Sequence, residues 1–362
     1  MDFSHSEIHN FGGNPSKTTL FGHSAGAGLI NLMLFSPTIN ADKKYFQRVI
    51  SMSIDIPVRE RANYEKLSQF TKDIAELAGC LSMENSDNST TKIREIERKM
   101  MECMQKVPDQ QLLDYQSIMD DRHKFFIFVI PMPPFFGGKQ SDELFRFPKN
   151  IDYLCGMEVD EYVGDTLYMP LGEIFGYDNG VEVEEKYRRD WEMGRLAFNV
   201  SDETIRQKMS TYMPLKRLAD FGATPFLYEY GYRKHTIHRE SAAMVLGIHD
   251  FEKDENEAKL AEIYPKLFVN FVKTGRPGGR DYDWAPYSTL LSNFFDINWN
   301  SSDGTVPRQK FGWERQMIEY FFDELISYDK EISDKREKLT SWRKRPTTLI
   351  SAVLTLVLAR MI

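Results

Sequence analysis

An excess of positive charge is the first thing this 362-residue chain lacks. Its 46 Lys and Arg are outnumbered by 54 Asp and Glu, for a net charge of −8. That balance argues against nucleic acid as a partner and reads as ordinary solubility. The first ten residues, Met1 to Asn10, are polar, with neither a basic start nor an apolar stretch, so no signal peptide is expected there. The apolar run near the other end, Leu349 to Ala359, falls short of the about 20 residues an ordinary spanning helix needs. Set between Arg343-Lys344-Arg345 and Arg360, it is expected to associate with a membrane as a lipid-anchor signal or interfacial segment, or else to pack on the body. No internal repeat is visible, and the one polar low-complexity stretch is Glu84 to Lys92. Cysteine is scarce as well: Cys80, Cys103 and Cys155, the last in the apolar run Tyr153-Leu154-Cys155-Gly156, where it reads as a buried core thiol.

What is present suffices for a large core, with 41% hydrophobic and 13% aromatic residues. Buried strands are expected at Phe46 to Ser53, Phe125 to Ile130, Asn150 to Met157 and Phe226 to Tyr232. Helical patterning runs through Arg61–Ala78, Lys92–Met104, Glu184–Arg195 and Asp202–Tyr212, the last with Ser201 as N-cap. Another helix, Ala258 to Lys273, should stop at Thr274-Gly275, with Pro277 beyond it. Strands interleaved with helices indicate an α/β sheet protein. The expected division is one sheet domain over residues 1–330, with helical stretches as cap insertions, and a basic linker and apolar tail over 331–362.

The most informative stretch is Gly22-His23-Ser24-Ala25-Gly26. It follows the β-prone run Thr18-Thr19-Leu20-Phe21 and precedes the apolar helical run Ala27 to Leu34. Strand, G-x-S-x-G, helix is the context of a nucleophile elbow, a tight bend that lifts a serine hydroxyl to the sheet edge. The bend should leave no room for side chains at Gly22 or Gly26. The blander reading is a glycine-rich helix entry whose serine only caps the helix. His23 reads as a packed or hydrogen-bonded residue of the turn. Three glycosylation acceptor triplets begin at Asn88, Asn199 and Asn300.

With Phe11-Gly12-Gly13-Asn14-Pro15 before the strand and Phe35-Ser36-Pro37 after the helix, the elbow resembles that of type-B carboxylesterases and cholinesterases, a branch of the α/β-hydrolases. The family elbow reads Gly-Glu-Ser-Ala-Gly; here His23 stands where the Glu would be. Further along, Asp283-Trp284-Ala285-Pro286-Tyr287, Phe294-Phe295-Asp296-Ile297, Trp313 and Phe321-Phe322 look like the family's later motifs in the same order. The resemblance covers roughly residues 7 to 325. It implies a disulfide between Cys80 and Cys103 around a loop bearing the Asn88 triplet, which fits a secretory setting.

A serine nucleophile needs a base and an acid that orients the base, in the chain order Ser, acid, His for this fold. Among seven histidines, that order leaves His235, His238 and His249. The resemblance maps the acid to Glu161, with Asp160 beside it and Glu158 a looser alternative. It favours His238 as base, with His235 second, because Gly247 stands nine residues after His238 as in the family. Of the oxyanion donors, only the backbone N–H of Ala25 carries over. Gly12-Gly13, Gly137-Gly138 and Gly278-Gly279 are the glycine pairs, and no histidine precedes any of them. The resemblance therefore implies an α/β-hydrolase sheet without its N-terminal strands. It implies a serine esterase acting on small carboxylic esters through an acyl-enzyme, impaired in this form, with no metal or organic cofactor. The alternative is a non-catalytic cholinesterase-like binding or adhesion module, or a fragment of a longer gene product. A third reading, an unrelated membrane-anchored α/β protein, fits the ordered motifs least.

Overall fold

The computed structural model describes residues 1–54, 61–81, 90–123, 148–162, 171, 175 and 177–343. The strand expected at Phe125–Ile130, Asn88 and the apolar run Leu349–Ala359 lie outside the described residues.

Among the described residues six strands form one sheet in chain order: β1 (Thr19–His23), β2 (Arg48–Met52), β3 (Asp152–Glu158), β4 (Pro225–Tyr230), β5 (Phe294–Ile297) and β6 (Arg308–Lys310). The first five are parallel and β6 pairs antiparallel with β5. This mixed sheet with helices on both faces is the α/β-hydrolase type of architecture expected from the sequence. Each inner strand is apolar on both sides, and its side chains alternate between two cores. Val49, Tyr153, Cys155, Met157 and Leu227 enter one core. Ile50, Met52, Leu154, Phe226, Tyr228 and Tyr230 enter the other.

The first core is closed by α2 (Ala25–Phe35), α6 (Gly180–Glu192), α7 (Asp202–Asp220) and α11 (Leu325–Arg343), and the second by α8 (Glu240–Leu246) and α9 (Glu255–Thr274). Three further helices connect β2 towards β3: α3 (Arg61–Leu77), α4 (Thr90–Met104) and α5 (Asp109–His123). A short α1 (Asp2–Glu7) precedes β1, and α10 (Arg315–Glu319) leads through a π-helical turn into α11. A Cys80–Cys103 disulfide ties the end of α3 to α4. Cys155 is a buried free thiol, and burial pushes it well above the ordinary thiol range.

The helix that follows the elbow is fixed by a buried polar triangle. Asn31 on α2 donates to Ser51 Oγ on β2 at 2.6 Å and accepts from Tyr153 OH on β3 at 2.8 Å. All three side chains are buried, so each bond replaces water that has been lost and fixes the helix against the sheet. At its other end, Lys149 Nζ caps the carbonyls of Leu34 and Ser36 at 2.8 and 2.5 Å.

Several boundaries differ from expectation for physical reasons. Helix α7 runs past Tyr212 and through Pro214 to Asp220, because Leu215 and Leu218 are fully buried and their packing outweighs one lost N–H donor. Helix α9 starts at Glu255 behind a capping box of Asp254 and Glu257, and ends at Gly275, whose φ of 76° closes it. Helix α11 runs across residue 330, and its Arg336 pairs with Asn179 and Glu182 at the start of α6. Among the described residues no helix is long and apolar enough to cross a membrane.

Candidate active site

Parallel strands end on one edge of the sheet, and that edge is where α/β proteins assemble their sites. Four neighbouring strands each deliver a polar side chain to it. Ser24 follows β1, Ser53 follows β2, Glu158 ends β3 with Glu161 three residues on, and His238 lies in the loop after β4. Backbone bonds lock these ends together: Ser24 N–H donates to Met52 O at 3.1 Å, Ser53 N–H to Gly156 O at 2.9 Å, and His238 N–H to Glu161 O at 2.7 Å.

The side chains form a continuous line. His238 Nε2 is 2.8 Å from Ser24 Oγ, and His238 Nδ1 is 2.8 Å from Glu161 Oε2. The other oxygen, Glu161 Oε1, accepts from Ser53 Oγ at 2.5 Å and from the Glu158 N–H at 3.1 Å. Glu161 is fully buried. Burial raises its carboxyl above the usual range, while the bonds it accepts and the charge of Lys208 pull the other way.

Ser24 sits at φ 56°, ψ −126°, a backbone conformation that costs a non-glycine residue of order 1–3 kcal/mol. Its side chain makes no capping bond to α2, so the helix-cap reading of this serine does not describe it. The close approach expected around it is one-sided. A Cβ on Gly22 would fall 2.6 Å from both Gly26 O and Ile30 Cδ1, which only glycine avoids. A Cβ on Gly26 would meet nothing within 4 Å, so the expectation that both glycines are sterically required is corrected to Gly22 alone. The strand presses on the helix backbone at Gly22, whereas position 26 faces outward from that contact. Ala25 opens α2, whose first-turn N–H groups have no partner within the helix.

The alternatives for base and acid are engaged elsewhere. His235 Nδ1 lies 2.6 Å from Glu257 Oε1, and its ring stacks on Phe251 at 4.0 Å. His249 contacts the Phe251 carbonyl and Lys253. Asp160 pairs with Arg233 at the surface. Glu158 is fully buried beside Ser53, on the far side of Glu161 from the imidazole.

Two rings flank His238. Tyr162 stacks on it at 5.0 Å with the planes 20° apart, and His23 lies at 4.7 Å. His23 Nε2 is buried and unpaired. Burial, then the neighbouring His238, lowers His23 to about 4, so it is neutral near pH 7. Neither Ser53 nor Tyr162 was singled out from the sequence. Ser53 could have been found by asking what stands at the carboxyl end of the strand expected beside the elbow strand.

Among the described residues no group of His, Cys, Asp and Glu could hold a metal ion. A cavity of about 830 Å³ opens beside Val159, lined by Lys208, Glu229, Arg233, Trp313 and Glu314, and none of Ser24, His238 and Glu161 lines it. Its buried Lys208 is already paired with Glu229 and Glu314 at 2.9 and 2.7 Å. Asn199 and Asn300 of the acceptor triplets are at least partly exposed, Asn199 just before α7 and Asn300 in a bridge with Thr305.

Comparison with known proteins places these residues in context. A model of the carboxylesterase family matches residues 1–214. Liver carboxylesterase 1F of Rattus norvegicus is 25% identical over 325 residues, covering 77% of this chain and 56% of that protein. Cholinesterase 1 of Branchiostoma lanceolatum is 31% identical over 163 residues, covering 42% of each. Human neuroligin-2 is 23% identical over 412 residues, covering 94% of this chain and 46% of that protein. The chain spans about half the length of these relatives.

Proposed function

Starting from the chain's membership of the carboxylesterase family, we propose that it is a serine carboxylic-ester hydrolase in which Ser24 is the nucleophile, His238 the general base and Glu161 the acid that orients the base. The observation that carries this reading is the unbroken line from Ser24 Oγ through both imidazole nitrogens to Glu161.

The chemistry follows from the geometry. Ser24 Oγ attacks the ester carbonyl as its proton passes to His238 Nε2. The imidazolium that forms is stabilised by Glu161, which accepts the Nδ1 proton's hydrogen bond without taking the proton. Negative charge gathers on the former carbonyl oxygen, and the Ala25 N–H at the positive end of α2 is the donor assigned to it. Collapse expels the alcohol, protonated by His238, and leaves an acyl group on Ser24. Water, deprotonated by the same histidine, then releases the acid. No metal or organic cofactor enters these steps. Small carboxylic esters are the substrate class.

The Cys80–Cys103 disulfide and the accessible Asn199 and Asn300 support a secretory setting for the protein, with glycosylation at those asparagines. A second reading, a non-catalytic binding or adhesion module, is favoured by the alignment to neuroligin-2, which covers more of this chain than that to liver carboxylesterase 1F. Turnover of p-nitrophenyl acyl esters separates the two. The hydrolase reading expects turnover that disappears in Ser24→Ala; equal rates for both proteins, or none above background, leave the binding module.

A further inference from the structure

Three residues before Glu161 stands a second carboxylic acid that the ester-cleavage scheme does not use. Glu158 and Glu161 are both fully buried, and both reach the same hydroxyl. Ser53 Oγ lies 2.5 Å from Glu161 Oε1 and 3.1 Å from Glu158 Oε2. A serine hydroxyl owns one hydrogen, so it can donate to only one of them. If both acids were ionised, the other contact would set two lone pairs against each other between like charges, far from water.

The remaining hydrogen bonds decide where the missing proton belongs. The Glu161 carboxyl is met by Ser53 Oγ–H and the Glu158 N–H on Oε1 and by His238 Nδ1–H on Oε2, and the Glu158 carboxyl also meets it directly, a contact that needs a proton on one of the two acids. Glu158 Oε1 accepts from the Ser241 N–H at 2.8 Å, which leaves Oε2 as the only oxygen placed to donate to Ser53. We propose that Glu158 carries a proton in the resting protein and acts through Ser53 as a positioning residue for Glu161, a role that rests on the hydrolase reading above.

The donors then run in one sense from each side. Glu158 Oε2–H donates to Ser53 Oγ, and Ser53 Oγ–H to Glu161 Oε1. From the other side, Ser24 Oγ–H donates to His238 Nε2, and His238 Nδ1–H to Glu161 Oε2. Glu161 is the single anion on which both lines end. A neutral Glu158 adds no second charge beside the imidazole. Its bond to Ser241 also ties the end of β3 to the helix that begins two residues after His238. The surroundings agree. Burial first, then the charge of Glu161, drives the Glu158 carboxyl well above the ordinary carboxylate range. The other groups that face it are the neutral His23 and the buried hydroxyls of Tyr228, Tyr230 and Tyr264. The cation Lys208 acts on Glu161 and is held by Glu229 and Glu314.

The test uses the full chain and three readouts. A protonated buried carboxyl gives its own infrared carbonyl band at neutral pH; it should be present in the wild type and in Ser24→Ala and absent in Glu158→Gln. The His238 ring resonances, followed by NMR, should titrate at the same midpoint in the wild type and in Glu158→Gln, because a neutral group replaces a neutral group. Glu158→Leu should lower kcat on the order of 10–100-fold with KM little changed, as loss of an orienting partner generally does, and Glu158→Gln should recover most of that loss. An infrared band that survives in Glu158→Gln overturns the proposal. So does a His238 midpoint that falls by about one unit, which would report the removal of a negative charge. The infrared and NMR arms need no turnover. If they hold while no ester is cleaved, the hydrolase reading fails and the proton assignment stands.

Discussion

The loop after β4 carries two histidines three residues apart, and each is bonded through Nδ1 to a fully buried glutamate: His238 to Glu161 at 2.8 Å and His235 to Glu257 at 2.6 Å. Viewed as pairs they are alike. They differ in what the other side of the ring meets. His238 turns Nε2 to a strained serine at the carboxyl edge of the sheet, between Tyr162 and His23. His235 lies flat on Phe251, and its glutamate is the third residue of the α9 capping box. A His–Glu pair is therefore no evidence of catalysis by itself. Its position relative to a strand end decides whether it is chemistry or a clamp.

That contrast can be broken by substitution. Removing His238 should lower kcat/KM by about 10⁶-fold, the scale on which losing a triad base acts, and Glu161→Gln by about 10⁴-fold. His235→Ala should leave kcat/KM within a few-fold, and instead cost about 1–3 kcal/mol in urea unfolding, because one oxygen of the buried Glu257 carboxylate loses its partner while the other keeps the Asp254 N–H. The two elbow glycines should separate in the same assay. Gly22→Ala should destabilise by about 1–3 kcal/mol through overpacking against Gly26 O and Ile30, while Gly26→Ala should be close to neutral.

Protonation sharpens the comparison with opposite signs. The folded His23 titrates near 4 against 6.5 when free, so below 6.5 the unfolded chain binds a proton that the native one refuses. Its effect is a loss of stability as pH falls from 6.5 to about 4, of about 1–3 kcal/mol after allowance for its partial exposure, and His23→Phe should flatten that limb. Glu158 is shifted upward, so its contribution is full below the ordinary carboxylate range and is lost as pH rises through its folded value. Glu158→Gln should flatten that opposite limb. A smaller effect is expected at the elbow itself. Ser24→Gly should be more stable than Ser24→Ala by about 1 kcal/mol, since glycine accepts φ 56° without strain.

Much of this arrangement was legible before any coordinates. Strands β2 to β4 announce themselves as apolar or alternating runs, β5 only through the family resemblance, and α9 by its periodicity and its terminal glycine. Strand β6 did not, because three residues of sequence Arg-Gln-Lys at a sheet edge carry no apolar signal. Helix α5 carries no such signal, because its polar run Asp109–His123 lacks an apolar face that can be read by eye. For the site, chain order selects three histidines and the resemblance favours His238, whose ring meets Glu161. Asp160 and Glu161 are adjacent in sequence, yet one goes to the surface and one to the core. A serine ending a strand has no pattern of its own, so Ser53 could be found only from its place at the end of the strand beside the elbow strand. Its meaning comes from the two carboxyls that the fold brings to it.

The central claim, that Ser24 is a nucleophile activated by His238, is tested most directly by labelling with a fluorophosphonate and locating the adduct by peptide mass. The account predicts an adduct on Ser24 in the wild type and in His235→Ala, and its loss in Ser24→Ala and His238→Ala. Labelling of equal extent in the wild type and in Ser24→Ala would contradict it.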